Sequence, residues 1–375
     1  MLECAPAHRG AHPTVKAVVF EQFAGPLSVQ RVADPVPPAH GVVVRVESTG
    51  ICRSDWHGWQ GHDSDVRVPH VPGHELAGEI VALGSAVRAL SVGDRVTVPF
   101  VSGCGACAPC GRGDPQVCDA QFQPGFTHWG SFAEYVALHY AERNVVRIPE
   151  PLSYDAAASL GCRFVTAYRA LVQLAKLRQG ETLVVFGCGG VGLSAVMIAA
   201  ALGARSIAVD IDGAELELAR SVGAELLLDA RQGALAERVR AATDGGADVS
   251  IDALGSSLTL KQSLESLRKR GRHVQVGLLV GERSDPSVPM GLVISRELEL
   301  YGSHGIAASA YPEVFRMIEQ QHVPLERIIG PHLGLEEVPR QLAAMGQFNG
   351  VGISLVHPRR GDTPRPERRG SEARS

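Results

Sequence analysis

The chain has 375 residues, a formal net charge of −4, and 45% hydrophobic against 20% charged residues. That length exceeds one typical core and makes two domains the expectation, while the charge gives no reason to expect nucleic acid or an anionic membrane as a partner. No apolar run reaches membrane-spanning length, and Met1–Pro13 lacks the long apolar stretch of a secretory leader, so a soluble cytoplasmic protein is the expectation.

The first third reads as strand-rich. Val15–Phe20, Val42–Glu47, Leu76–Leu83, Asp94–Pro99 and Phe132–Leu138 are short runs of β-branched and aromatic residues, punctuated by Pro35-Val36-Pro37-Pro38 and Pro72-Gly73. A small irregular β-barrel fits this better than a helical domain. Within it, Cys104, Cys107, Cys110 and Cys118 give C-x2-C-x2-C-x7-C, with Gly and Pro between them supplying turns. In a long chain without a leader, such spacing points to metal rather than disulfides. A closed site of four thiolates on zinc leaves no open position and so would be structural. An iron–sulfur cluster shares the x2 spacings but wants a fourth cysteine at x3 followed by Pro, which is missing.

From about Ala156 the texture changes to strand–helix alternation, the pattern of a parallel sheet wound with helices on both faces. Strands are expected at Leu183–Phe186, Ser206–Asp210, Leu226–Asp229, Val249–Asp252, His273–Val276 and near Leu298–Gly302. Helices are expected at Val191–Leu202, Ala214–Val222, Leu235–Ala242 and Leu258–Leu267. The first of these strands runs into Gly187-Cys188-Gly189-Gly190-Val191-Gly192 and a helix, the context that makes G-x-G-x-x-G a dinucleotide signal. Gly187 permits the turn, Gly189 the backbone approach to a pyrophosphate, and Gly192 the close helix–strand contact; the helix N-terminus faces the phosphates. Asp210, at the end of the next strand, can accept both ribose hydroxyls and repels a 2′-phosphate, which favours NAD over NADP. Two further helices, Tyr311–Gln320 and Val338–Met345, precede a strand at Ile353–Val356, and the Arg-rich end is expected to be disordered.

Three separated segments hold further ligand-type residues: Cys52 to His57, His74-Glu75, and Gly161-Cys162. Cys52, His74 and Cys162 together supply two thiolates and an imidazole, a set that leaves one zinc position open.

With these motifs in order, the chain resembles the zinc-containing medium-chain alcohol dehydrogenases from Val15 to about Val356, in their compact bacterial and yeast-type form. The motifs are C-R-S-D-x-H, G-H-E, the four-cysteine lobe, G-C-G-G-V-G and Val209-Asp210. The resemblance implies an α/β protein: a GroES-like β-barrel catalytic domain (1–163, zinc lobe about 100–120), a Rossmann NAD-binding domain (164–303), a return to the first domain (304–357) and a tail (358–375). It implies two zincs per chain, one on Cys52, His74 and Cys162 and one on the four-cysteine lobe, with NAD as cofactor. Asp55 would orient His74, Glu75 would sit behind the metal, and Arg53 would lie near the pyrophosphate. Ser54 would take the alcohol proton and pass it through the cofactor ribose to His57. Gly190 and Val191 would join the other loop residues around the dinucleotide. Phe100 and Trp59 are candidate walls of the substrate pocket. An alcohol–carbonyl oxidoreductase is implied, working as a homodimer or tetramer. The alternatives are a polyol or amino-alcohol dehydrogenase of the same build, and a non-catalytic zinc and nucleotide sensor.

Overall fold

A computed structural model describes residues 14–280, 284–347 and 351–360. The disordered tail expected at 358–375 lies, from residue 361 on, outside the described residues.

The chain opens with an antiparallel hairpin, β1 (Thr14–Phe20) and β2 (Leu27–Ala33), paired from Thr14↔Ala33 to Phe20↔Leu27. Then come β3 (Val42–Gly50), β4 (Glu75–Leu83), β5 (Arg95–Thr97), β6 (Tyr135–Leu138) and β7 (Val146–Arg147). They form a mixed sheet that two late strands, β14 (Ile329–Leu333) and β15 (Ile353–Val356), complete: the order is β14-β15-β3-β4-β5-β7, with β6 also on β3. Its aliphatic residues, among them Val42, Val44, Val46, Leu76, Ile80 and Val96, close one apolar core.

Between these parts runs a six-stranded parallel sheet of β8 (Thr182–Phe186), β9 (Arg205–Asp210), β10 (Leu226–Asp229), β11 (Ala247–Asp252), β12 (Leu267–Gln275) and β13 (Glu299–Gly302). Its order, β10-β9-β8-β11-β12-β13, reads outward in both directions from β8. That is the doubly wound dinucleotide-binding arrangement, whose ligand crevice opens beyond the carboxyl ends of β8 and β11, where the winding reverses. All five β8 residues are buried. The helix Gly190–Ala201 is buried from Gly192 through Ala199 and fills the space above the sheet.

Several elements depart from the sequence reading. β2 was not expected: none of its residues is fully buried, so its periodicity carries little signal. β12 begins six residues before His273, its first half carrying Arg268, Lys269 and Arg270, charges that mask a strand. The stretch Tyr154–Leu174 is one continuous helical run, which straddles the boundary expected at 163/164. It is bent at Gly161, whose φ of −12° and ψ of −108° are far from helical. A Cβ there would stand 2.8 Å from Glu75 Cβ, so the bend lets the run lie directly on the start of β4. A short helix, Arg53–Trp59, was also missed; at two turns it is too brief to show periodicity.

Candidate active site

The register of β3 against β4 assembles the first cluster. Gly50 pairs with Glu75, so Cys52 and His74 flank the same end of the ladder from opposite strands. Cys162 arrives on the turn after Gly161. The ligand atoms of Cys52, His74, Glu75 and Cys162 lie within 4.8 Å of one another, and His74 and Glu75 are fully buried.

Asp55 binds this arrangement together. Its carboxylate, 1% exposed, accepts hydrogen bonds from the Cys52 amide (2.9 Å), the Gly73 amide (3.0 Å) and His74 Nδ1 (2.8 Å). Nδ1 carries the proton for the last of these, so the neutral ring presents its lone pair at Nε2. Burial pulls the imidazole down, but Asp55 and then Cys52 outweigh it and hold it well above its ordinary range, a proton that a metal would displace. His74 Nε2 is buried and has no hydrogen-bond partner among the described residues, an arrangement that costs free energy unless a Lewis acid meets it.

The thiols give the same indication. A hydrogen bond with Cys162 is the main influence holding the Cys52 thiol well below its ordinary range, and the same bond, with burial, pushes Cys162 well above. Protein groups alone therefore support one thiolate of the two; a dication would support both. Two thiolates, an imidazole lone pair and burial suit zinc.

Glu75 serves two neighbours. Oε1 accepts the Cys162 amide at 3.2 Å, and Oε2 pairs with Arg163 Nη2 at 2.7 Å. Burial pushes its carboxyl up to about 8, against the pull of Arg163. Arg163, buried, also donates to the Ile51 carbonyl. Sequence reasoning passed over Arg163; the available signal was a lone charge within the apolar run from Ala156 to Tyr168. Phe100 and Phe126 pack beside the His74 ring, with centroids 6.2 and 5.0 Å away.

The helix Arg53–Trp59 carries Ser54 and His57 three residues apart, hence on one face. His57 Nδ1 is 2.8 Å from His62 Nδ1. Arg53 donates to the Met345 carbonyl, its guanidinium 4.4 Å from the Trp56 ring centre. Of the candidate pocket walls, Phe100 stands beside His74, whereas Trp59 donates to the Gly25 carbonyl and packs against a cluster with Phe20, Val66 and Phe126.

In the glycine loop, Gly187 has a φ of +91°, and its amide donates to Val209 O. A Cβ on Gly192 would fall 1.8 Å from the Gly187 carbonyl, so only glycine lets the helix start this close to the strand. Gly189 caps that helix without any side-chain partner, and a Cβ built on it meets nothing within 4 Å. Gly190 and Val191 open the first turn, whose amides have no partner within the helix, and Gly190 packs against the Arg163 side chain, where a Cβ would stand 2.2 Å from Arg163 Cδ. Asp210 is pinned beside them: Oδ2 accepts the Cys188 amide at 2.6 Å, and Oδ1 those of Ile211 and Asp212 at 2.7 and 2.9 Å. An anion cradle with a carboxylate fixed at its rim fits a dinucleotide.

The second cysteine cluster is local and partly exposed. Cys104, Cys107, Cys110 and Cys118 bring their sulfurs within 4.8 Å, Cys107 and Cys118 to 3.6 Å. Thiolates at about 2.3 Å from a tetrahedral zinc stand roughly 3.8 Å apart. Backbone amides aim at the sulfurs, from Cys104 and Ala120 to Cys118 (3.2 and 3.3 Å) and from Ala106 to Cys104 (3.4 Å). Such amides, first that of Cys110, pull the Cys107 thiol down to about 6, whereas burial pushes Cys118 up to about 12.

Comparison with known proteins agrees with this anatomy. Residues 38–150 match the alcohol dehydrogenase GroES-like domain, and residues 190–320 match the zinc-binding dehydrogenase domain. An alcohol dehydrogenase of Geobacillus stearothermophilus is 36% identical over 70% of this chain and 78% of its own length. An NAD-dependent alcohol dehydrogenase of Saccharolobus solfataricus is 33% identical over 92% of this chain and all of its own. Among solved structures, the alcohol dehydrogenase TADH from Thermus sp. ATN1 superposes with a TM-score of 0.83 at 31% identity, covering 91% of this chain and 99% of that one. The chain belongs to the zinc-containing alcohol dehydrogenase family.

Proposed function

We propose that this protein is an NAD-dependent zinc alcohol dehydrogenase interconverting an alcohol with its aldehyde or ketone. The observation that carries the reading is the buried, unpartnered His74 Nε2 converging with Cys52 and Cys162. Those three residues would hold one zinc, and Cys104, Cys107, Cys110 and Cys118 a second. The first zinc supplies Lewis acidity towards an alcohol oxygen, and the dinucleotide supplies the hydride acceptor.

The remaining work falls to the chain's own groups. Asp55 holds the His74 ring with its lone pair inward. Glu75 pairs with Arg163 and accepts the Cys162 amide, which fixes that stretch of backbone. Ser54 takes the hydroxyl proton, and His57, farther along the same helix face, returns it to water. Gly187, Gly189, Gly190, Val191 and Gly192 would cradle the pyrophosphate, Arg53 would have to leave the Met345 carbonyl to reach it, and Asp210 would select the ribose hydroxyls, which favours NAD. Phe100 and Phe126 bound an apolar region beside His74.

A cytoplasmic homo-oligomer, dimer or tetramer, belongs to this proposal. No helix among the described residues is long and apolar enough to cross a membrane. The test is to add NAD and a panel of short, aromatic and polyhydric alcohols to zinc-loaded protein and follow absorbance of the reduced cofactor. Turnover of simple alcohols is expected. Turnover of polyols alone would move the assignment to the polyol class, and no turnover with full zinc content would leave a binding protein.

A further inference from the structure

A third group of ligand-type side chains lies away from both cysteine clusters. Asp155, in the first turn of the helix after Ser153, meets His332 of β14 and His357 just beyond β15. The three come from distant parts of the chain, brought together because β14 and β15 pair in parallel and β15 pairs with β3. His332 Nδ1 and His357 Nε2 stand 2.9 Å apart, and they approach the two Asp155 oxygens at 3.6 and 3.5 Å. Two nitrogen or oxygen ligands about 2.0–2.1 Å from a tetrahedral zinc are roughly 3.3 Å apart. The two imidazole nitrogens, hydrogen-bonded to each other, stand somewhat closer than that, and each lies slightly farther than that from one Asp155 oxygen.

The surroundings set the donor atoms. His357 Nδ1 lies 3.1 Å from the Glu47 carbonyl, an acceptor, so Nδ1 carries the proton and Nε2 turns its lone pair to the cluster. This is the partner arrangement that orients a metal-binding imidazole. Asp155 Oδ1 is buried and has no hydrogen-bond partner among the described residues. The His332 side chain, 46% exposed, gives the cluster access to solvent.

We propose that Asp155, His332 and His357 form a third divalent-cation site, taking a zinc-class ion with water in the fourth position. Two imidazoles select a borderline-soft transition metal over calcium or magnesium. The ion would tie β14 and the end of β15 to the helical run that carries Cys162, fastening the late strands onto the barrel. None of its three residues belongs to the Cys52–His74–Cys162 cluster, so it would act on stability.

The experiment is calorimetric titration of Zn²⁺ into enzyme whose cysteine sites are already zinc-loaded, beside the His332→Ala variant, with turnover and thermal midpoint measured for both. Wild type should take up one further equivalent and melt higher in zinc. His332→Ala, which alters an exposed side chain, should lose both effects and keep full turnover. Asp155→Asn provides a second variant of nearly unchanged shape and should weaken the uptake about tenfold or more. Equal uptake by wild type and His332→Ala, or an undiminished melting shift in the variant, would overturn the site.

Discussion

The two cysteine clusters differ in how the chain brings their sulfurs together. Cys104 to Cys118 lie on one turn-rich segment, partly exposed, with backbone amides aimed at the sulfurs. Cys52, His74 and Cys162 come from three segments and meet in a site where carboxylates, Asp55 and Glu75, do the orienting. A local cluster can shape its own segment around a metal. A cluster assembled by the fold requires the sheet register and the Gly161 bend to exist first. The lobe should therefore matter to stability and the assembled site to chemistry.

Cys162→Ser tests the chemical half of that contrast and carries the largest expected effect. Turnover should fall by roughly a thousandfold or more, because an open Lewis-acid position is lost, with zinc content lower by one equivalent and the melting midpoint lowered less than by the loss of the lobe zinc. Retained turnover would remove Cys162 from the ligand set. Cys118→Ser should do the reverse. A closed zinc site contributes folding free energy, so denaturant unfolding should show a loss of several kcal/mol, with turnover per folded molecule close to wild type. If both variants lose activity and stability alike, the contrast between the clusters fails.

Asp55→Asn separates position from ligation. Three N–H donors converge on the Asp55 carboxylate. Asparagine keeps the shape but turns an amide NH2 towards one of those donors and removes the charge that orients His74. Loss of such a partner lowers metal affinity or activity by about 10–100-fold. Zinc affinity measured by competition with a chelator should fall in that range at the assembled site and stay unchanged at the lobe. An equal loss at both sites would show a general loosening of the barrel instead.

The same contrast explains what was legible in the sequence. The four-cysteine spacing and the strand–glycine loop–helix unit are local, and β8, the helix Gly190–Ala201 and β9 fall within a residue or so of expectation. Ligand type suggested the set Cys52, His74 and Cys162, and the family resemblance assigned it to one zinc; spacing alone could not, since the grouping depends on Gly50↔Glu75 register. Arg163 and the Asp155–His332–His357 cluster carried no motif at all. Their partners are set by tertiary packing, and a single charged residue or separate histidines have no period to detect. β12 was shortened for a related reason, its charged first half masking a strand whose other half is buried.

The smallest expected effect probes what anchors the lobe. Asn144 is 2% exposed; its Oδ1 accepts the Gly103 amide at 2.9 Å, and its Nδ2 donates to the carbonyls of Gly103 and Tyr140 at 3.0 and 2.9 Å. It thus clamps the residue just before Cys104 to the short helix Ala141–Asn144. Asn144→Ala leaves buried backbone groups of Gly103 unpaired, at a cost of about 1–3 kcal/mol. Every sulfur stays in place, so the lobe should still bind zinc, but with a looser first ligand it should release the metal to a chelator faster. The assembled site shares none of these hydrogen bonds, and turnover per folded molecule should not change. Unaltered release from the lobe would mean that zinc alone holds Cys104 in position; slower turnover would mean that the lobe's anchor reaches the buried cluster, and that the two regions are less separate than their geometry makes them.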